Sequence, residues 1–340
     1  MKIIDLEAHF FTQDYCNYLR KRKDPPREEV AEKNLRVWYS GGICSPRSYV
    51  MEDKLLDVGE NRILEMDKAG IEFQVLSLAN PGVEQFEPAD GTAVARDTND
   101  ELAEAIKKYP DRYMGLAALG TQEPDNAAAE LERAIEVLGF KGAKINSHSR
   151  GEYLDNKKYW AIFEAAQNLG VPIYLHPNVP APALLDAFAD YDFALAGPPF
   201  GFGIETSVHV MRLIYSGLFD AYPKLKMVLG HMGEGLPFWL YRIDFFWLKS
   251  FLGKDLRPPI KKKPSEYIKE NFLFTSSGMH FLPAFNCAYQ ALGGDSLAFG
   301  ADHPFETSQE SLASLGNLPI CDSDREKFYH LNAERLFNLS

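Results

Sequence analysis

Ile3-Ile-Asp-Leu-Glu-Ala-His-Phe10 is a short apolar, β-rich run that ends in two ionisable residues, Glu7 and His9. An open, doubly wound sheet normally carries a glycine-rich phosphate loop after its first strand. Here that position holds Glu7-Ala8-His9-Phe10. Seven further β-rich runs follow, near Glu72–Leu78, Tyr113–Leu119, Phe140–Ile145, Val171–His176, Leu225–Gly230, Phe272–Ser276 and Leu297–Ala301. Helical patterns lie between them, such as Thr92–Tyr109, Pro124–Leu138, Lys157–Leu169 and Glu205–Tyr222. Within Asp125–Leu138, Ala128, Leu131, Ile135 and Leu138 recur at helical spacing, and Gly139 follows as a C-cap. This alternation predicts an α/β fold with a parallel sheet. Eight such units closing on themselves predict a (β/α)8 TIM barrel, one domain over residues 1–340.

Two long segments interrupt the rhythm. Residues 15–56 form an excursion after the first strand, with a basic start (Arg20, Lys21, Arg22, Lys23) and Pro25-Pro26. Residues 178–203 form a second after the fifth strand, rich in Pro, Ala and aromatic residues. Loops this long in a compact domain serve as lids, binding loops or contact surfaces, so 15–56 is expected to be a lid or insertion. The aromatic residues Trp38, Tyr39, Tyr191, Phe193, Phe200 and Phe202 suit either a pocket for a flat ring or plain packing.

Composition narrows the function. The 340 residues are 46% apolar, 25% charged and 13% aromatic, which excludes disordered, collagen-like and coiled-coil chains. A formal charge of −12 repels nucleic acid and anionic lipid, so neither is an expected partner. The four cysteines (Cys16, Cys44, Cys287, Cys321) have no CxxC spacing and read as reduced packing thiols. An acidic N-terminus and the lack of a long apolar run predict a soluble, cytoplasmic protein.

In a barrel of this kind, active sites lie at the C-terminal ends of the strands. The first strand ends in Glu7 and His9, two apart and so on one face. The fifth ends in His176, the sixth in His231 and the eighth in Asp302. Carboxylates and imidazoles together suit a borderline divalent ion, Zn2+ or Mn2+, with positions left open for substrate. Glu234, three residues after His231, can reach the same pocket or orient that ring through its N–H. His148 follows the fourth strand and is a candidate substrate contact, whereas His209, His280, His303 and His330 read as structural or as pointing elsewhere. With no Gly-x-Ser-x-Gly and no suitably placed Cys/His pair, a serine or cysteine nucleophile is disfavoured.

Several motifs carry a resemblance. They are Asp57-Val-Gly-Glu-Asn-Arg-Ile-Leu-Glu-Met-Asp-Lys-Ala-Gly-Ile71, Gln74-Val-Leu-Ser-Leu78, Tyr174-Leu-His-Pro177 and Asn332-Ala-Glu-Arg-Leu-Phe337. The most specific piece is Gly201–Asp244, where Phe202-Gly-Ile-Glu-Thr206 leads to Gly230-His-Met-Gly-Glu-Gly-Leu-Pro237. With these the chain resembles, end to end, the amidohydrolase superfamily, in its amidohydrolase-2 branch related to aminocarboxymuconate-semialdehyde decarboxylase. Most amidohydrolases carry His-x-His on the first strand, but this chain has Glu7-x-His9. That variant resembles the ortho-hydroxybenzoate decarboxylases acting on γ-resorcylate, 2,3-dihydroxybenzoate or 5-carboxyvanillate.

The resemblance implies a metal-dependent carboxy-lyase with one divalent metal ion per subunit, Mn2+ or Zn2+. Glu7, His9, His176 and Asp302 would be the ligands, with His9 the member nearest the edge of the set. His231 and Glu234 would lie beside the substrate, a small aromatic carboxylic acid. Arg242 would contact the substrate or support the pocket, and Arg47 would cover the mouth and pair with an anionic substituent. The implied reaction protonates the ring at C1, with Asp302 as the acid and His231 as supplier of the proton, before CO2 leaves. Homodimers or homotetramers are also implied, and the aromatic stretch Phe238–Phe251 suits either an interface or barrel packing. The alternatives are a hydrolase of a lactone or amide, or a hydratase, using the same ligands. A catalytically silent barrel would be betrayed by a missing ligand, and none is missing.

Overall fold

The computed structural model describes residues 1–39, 42–249 and 257–339. Its strands, in chain order, are β1 (Ile4–Phe10), β2 (Arg27–Val30), β3 (Leu35–Trp38), β4 (Cys44–Arg47), β5 (Phe73–Leu78), β6 (Tyr113–Ala118), β7 (Gly142–Asn146), β8 (Ile173–His176), β9 (Met227–Leu229), β10 (Phe272–Thr275) and β11 (Leu297–Ala298). Eight of them form one sheet in the order β1-β5-β6-β7-β8-β9-β10-β11, paired in parallel. Leu6 N–H donates to Phe299 O at 3.0 Å and Ala8 bridges His303, which joins the last strand to the first. The (β/α)8 barrel is therefore as the alternating pattern predicts. The strands are buried on both faces, as parallel strands under a helical shell must be.

The barrel has two stacked layers. The lower interior is apolar: Ile4, Leu6, Val75, Met114, Leu116, Tyr174, Val228, Leu273 and Ala298, floored by Ala333 and Phe337 of the C-terminal helix. Above it the interior turns polar, beginning with Glu7 and His9. Strict alternation along β1 would place Ile4 and Leu6 on the opposite face from Glu7 and His9. A bulge resolves the conflict. Asp5 pairs with Gln74 and Ala8 with Leu76, so three steps on β1 match two on β5. Leu6 then joins the lower interior, Glu7 and His9 the upper one, and Ala8 and Phe10 the packing against the helices.

Several helices depart from the expected bounds, the one expected over Thr92–Tyr109 spanning Pro88–Lys108. The helix after β6 spans Pro124–Glu136 and is capped by Val137, with Gly139 (φ 75°) turning the chain two residues after that cap. The pattern over Glu205–Tyr222 is two helices, Gly201–Tyr215 and Leu218–Ala221, broken where Gly217 adopts φ 82°.

Within the excursion after β1, β2, β3 and β4 form an antiparallel sheet of their own between helices Gln13–Lys21 and Tyr49–Leu56. The segment after β8 packs against that sheet. Val37, Tyr39 and Ile43 share an apolar cluster with Val179, Leu185, Phe188, Ala196 and Phe202, and Cys44 N–H donates to Asp192 Oδ1 at 2.9 Å. Tyr39 stacks on Phe193 with ring centroids 5.5 Å apart, and Phe202 meets the same ring edge-on. Tyr191 and Phe200 are exposed.

Candidate active site

The strand ends bring Glu7, His9, His176 and Asp302 together. Glu7 Oε1 lies 3.3 Å from His176 Nε2 and 3.7 Å from His9 Nε2. His9 Nε2 is 3.0 Å from Asp302 Oδ1. The candidate ligand atoms of Glu7, His9 and His176 all lie within 4.8 Å of one another, and all three residues are buried.

Polarity says what belongs between them. Glu7 Oε2 accepts from the Tyr174 hydroxyl and from Thr275 Oγ1 (3.1 Å), but Oε1 is buried with no hydrogen-bond partner. His176 Nδ1 faces Pro177 O at 2.9 Å and must carry the ring proton to donate there. Its Nε2 then turns a lone pair toward an unpartnered carboxylate oxygen. Two electron pairs 3.3 Å apart in a buried space are repulsive unless a cation lies between them, so the residues fit a divalent ion. Burial opposes the charge on Glu7, but the histidines around it, the charged His231 among them, hold the carboxyl well below its usual range. Burial, and then the Lys144 charge, keep His176 neutral.

His231 sits on an unusual stretch. His231, Met232 and Glu234 have φ near 54°, and Gly233 and Gly235 are also left-handed. Such conformations cost roughly 1–3 kcal/mol per non-glycine residue and cluster where geometry serves function. The turn brings Glu234 Oε1 to 2.7 Å from His231 Nδ1. Burial disfavours the imidazolium, yet Glu234, Glu7 and Asp302 raise its pKa to about 10. Gly278 lets the ring in: a Cβ there would stand 2.7 Å from His231 Cδ2 and 3.5 Å from Asp302 Oδ2. Those two side chains therefore flank one spot beside the Glu7–His9–His176 cluster.

The two arginines are placed differently. Arg47 is buried, paired with Glu28 (3.0 Å), donating to Asn80 O (3.2 Å) and lying over the Phe11 ring. Asn80 in turn donates to Pro177 O, next to His176. Arg242 is exposed on helix Leu236–Leu248 with its guanidinium over Phe246, and among the described residues no hydrogen bond or ion pair joins it to the cluster.

Of the other histidines, His148 is locked between Gln85, Gly151 N and Val179 O. His209 bridges Ser147 Oγ and Leu154 N, His280 meets Glu306, His303 faces Glu65 and His330 meets Glu334. Sequence reasoning missed Lys144, whose buried ammonium donates to Leu78 O at 2.6 Å and lies 3.4 Å from His9 Nδ1. Burial lowers its pKa to about 8. A charged residue inside the apolar run Phe140–Ile145 is the signal that could have revealed it. Tyr174 and Thr275, which grip Glu7, carry no such signal.

Comparison with known proteins agrees with this geometry. The family described as Amidohydrolase matches residues 4–339. A γ-resorcylate decarboxylase from Polaromonas sp. (strain JS666 / ATCC BAA-500) is 41% identical over 301 residues, covering 85% of this chain and 90% of the relative. The crystal structure of 5-carboxyvanillate decarboxylase from Sphingomonas paucimobilis superposes with a TM-score of 0.89 at 32% identity, covering 100% of this chain and 99% of that one. A dihydroxybenzoic acid decarboxylase from Polaromonas sp. JS666, solved with manganese and the inhibitor 2-nitroresorcinol, gives a TM-score of 0.84 at 36% identity, covering 99% and 97%. With a match that spans nearly every residue and a barrel whose strand ends converge on one metal-binding cluster, the chain belongs to the amidohydrolase family.

Proposed function

We propose that this protein is a metal-dependent carboxy-lyase that removes CO2 non-oxidatively from an aromatic acid with a hydroxyl ortho to its carboxylate, of the dihydroxybenzoate or 5-carboxyvanillate class. The observation that carries the metal is the buried, unpartnered Glu7 Oε1 facing the lone pair of His176. The aromatic-acid chemistry rests on the relatives, all three of which decarboxylate such acids. Glu7, His9, His176 and Asp302 hold one divalent ion per subunit, Mn2+ or Zn2+, and manganese is the ion found in the solved relative. When bound, the ion supplies Lewis-acid polarisation of the substrate's carboxylate and phenolic oxygen.

The remaining steps fall to side chains. Direct loss of CO2 would leave an aryl carbanion, so a proton must reach C1 first. Asp302 delivers it; a ring electron pair forms the C1–H bond, and the ionised ortho oxygen lends its own pair to the ring and becomes a carbonyl. The C1–carboxylate bond then breaks, its electrons restore the aromatic ring, and CO2 departs. His231 returns a proton to Asp302 across the spot bordered by Gly278, and Glu234 keeps the imidazolium charged and aimed. Arg47, itself in the excursion of residues 15–56 that acts as the lid, ties that excursion to Asn80 and so covers the mouth.

The protein works in the cytoplasm as a homodimer or homotetramer. No helix among the described residues is long and apolar enough to cross a membrane. Phe238, Trp239 and Tyr241 are exposed together on the helix after β9, the described part of the Phe238–Phe251 stretch, whose last two residues lie outside the described structure. Light scattering on a sizing column reads the assembly.

The activity test follows ultraviolet absorbance and product chromatography. Mn2+-loaded protein is offered 2,6-dihydroxybenzoate, 2,3-dihydroxybenzoate, salicylate and 5-carboxyvanillate, with Asp302→Asn beside it. Conversion of one acid to its phenol by the wild type alone supports the reading. A protein that holds stoichiometric metal but converts none of them overturns it and sends lactones into the assay.

A further inference from the structure

Between β1, β5 and the helix Glu60–Ala69 runs a chain of buried hydrogen bonds that the reaction does not use. Arg62 Nη1 donates to His9 O at 2.8 Å, and its Nε donates to Gln74 Oε1 at 2.8 Å. Gln74 Nε2 donates to Asp5 Oδ2 at 3.1 Å. Asp5 Oδ1 accepts from Glu7 N at 3.2 Å and from Ala301 N at 2.9 Å. Asp5, Gln74 and Arg62 are all buried.

The chain has one direction. Arginine has no acceptor, so Gln74 must turn its carbonyl to Arg62 and its amide to Asp5. Asp5 then faces three donors and no acceptor. Both ends finish on backbone that carries the cluster: His9 and Glu7 on β1, and Ala301 immediately before Asp302. Asp5 also opens the β1 bulge, pairing with Gln74 at the last regular step before the register shifts. That bulge is what lets Leu6 fill the lower interior while Glu7 and His9 face the upper one. Asp302 is held to the same strand, since its N–H donates to Glu7 O at 3.0 Å while its own φ is 67°.

We infer that Asp5, Gln74 and Arg62 form a positioning relay that pins the β1 bulge to the Asp302 corner and so sets the spacing of the metal ligands. Three side chains that never touch substrate thereby govern metal affinity. The inference rests on the proposed metal site, and its test separates the two.

Asp5→Asn keeps the size and the acceptor for Glu7 N and Ala301 N but turns an amide toward the amide of Gln74. Gln74→Glu places a second carboxylate against Asp5. The double variant restores direction, because Asn at 5 donates to Glu at 74, which still accepts from Arg62. The net charge of the double variant equals that of the wild type. Mn2+ affinity is read from the electron paramagnetic resonance of free Mn2+, and melting temperature is read alongside. Each single variant should weaken Mn2+ binding about tenfold or more, as lost support of metal ligands typically does. The double variant should return to within about threefold of the wild type. His209→Gln, which disturbs a buried network away from the relay, should lower the melting temperature with Mn2+ affinity unchanged.

Wild-type affinity in Asp5→Asn, or a double variant no better than the weaker single, overturns the inference. If a single variant does not fold, recovery of the fold in the double supports the relay and failure to recover it refutes it. Should the wild type bind no metal, the metal reading fails, while the same cycle in melting temperature still decides the relay.

Discussion

Tyr174→Phe tests the grip on Glu7 with the least change of shape. The Tyr174 hydroxyl is fully buried and donates to Glu7 Oε2, and Thr275 Oγ1 donates to the same oxygen at 3.1 Å. These two donors hold one carboxylate oxygen so that the other, Oε1, faces His176 and His9. Removing the phenolic oxygen leaves Thr275 alone, and Thr275 Oγ1 also shares a hydrogen with Ser277 Oγ at 2.8 Å. Two effects then compete. A carboxylate with fewer donors is more basic and attracts a cation more strongly. It is also free to rotate, and each hydrogen bond to a charged group is worth roughly 1.5–3 kcal/mol of orientation. Lost ligand support in metal sites usually has a net cost of about 10–100-fold in affinity, so orientation wins. The variant should bind Mn2+ about 10–100-fold more weakly by titration of free Mn2+, with an unchanged far-ultraviolet dichroism spectrum. Affinity within about twofold of wild type, the scatter expected of non-coupled sites, would refute the claim that Oε2 is held so that Oε1 can bind.

Other consequences can be checked alongside. Glu234→Gln removes the charge 2.7 Å from His231, which alone is worth about 1–3 units of pKa, so the alkaline limb of the kcat profile should move toward neutral pH by at least a unit. Gly278→Ala forces a methyl to 2.7 Å from His231 Cδ2 at a φ of 58°; kcat should fall about 100-fold or more, as a 1 Å misplacement does, while Mn2+ content stays stoichiometric. His209 has a folded pKa lowered to about 3, chiefly by burial, against an ordinary value of 6.5. Its unfolded form binds a proton that the folded form refuses, so this residue costs stability progressively as pH falls below 6.5, about 2 kcal/mol at pH 5. Denaturant melts of His209→Gln, compared with wild type between pH 8 and 5, should show a loss of stability smaller by that amount; parallel curves would count against it.

How much of this was visible in the chain depends on where each feature draws its signal. The eight barrel strands are legible because each is a short apolar run, and the site because four of those runs end in Glu7, His9, His176, His231 or Asp302. A ligand placed at a strand end is already placed in a barrel. The sheet of β2, β3 and β4 was hidden. Arg27-Glu-Glu-Val30 and Cys44-Ser-Pro-Arg47 show no apolar alternation, and Glu28 is buried only because Arg20 and Arg47 neutralise it. Arg242 shows a different boundary: a motif gives order along the chain, whereas the exposure of that side chain on its helix is set by the fold.

The β1 bulge marks the deeper boundary. From the alternation alone, Ile4 and Leu6 compete with Glu7 and His9 for the inside of the barrel, and one pair must lose. Nothing local in Ile3–Phe10 says that both win. The answer is written in Gln74, Arg62 and Ala301, which lie far along the chain and meet Asp5 only once the barrel has closed. Ligand identity is thus a local property of the sequence, whereas ligand spacing is a property of the closed barrel. Substitutions that preserve every ligand can still abolish the site if they let β1 slip back into regular register.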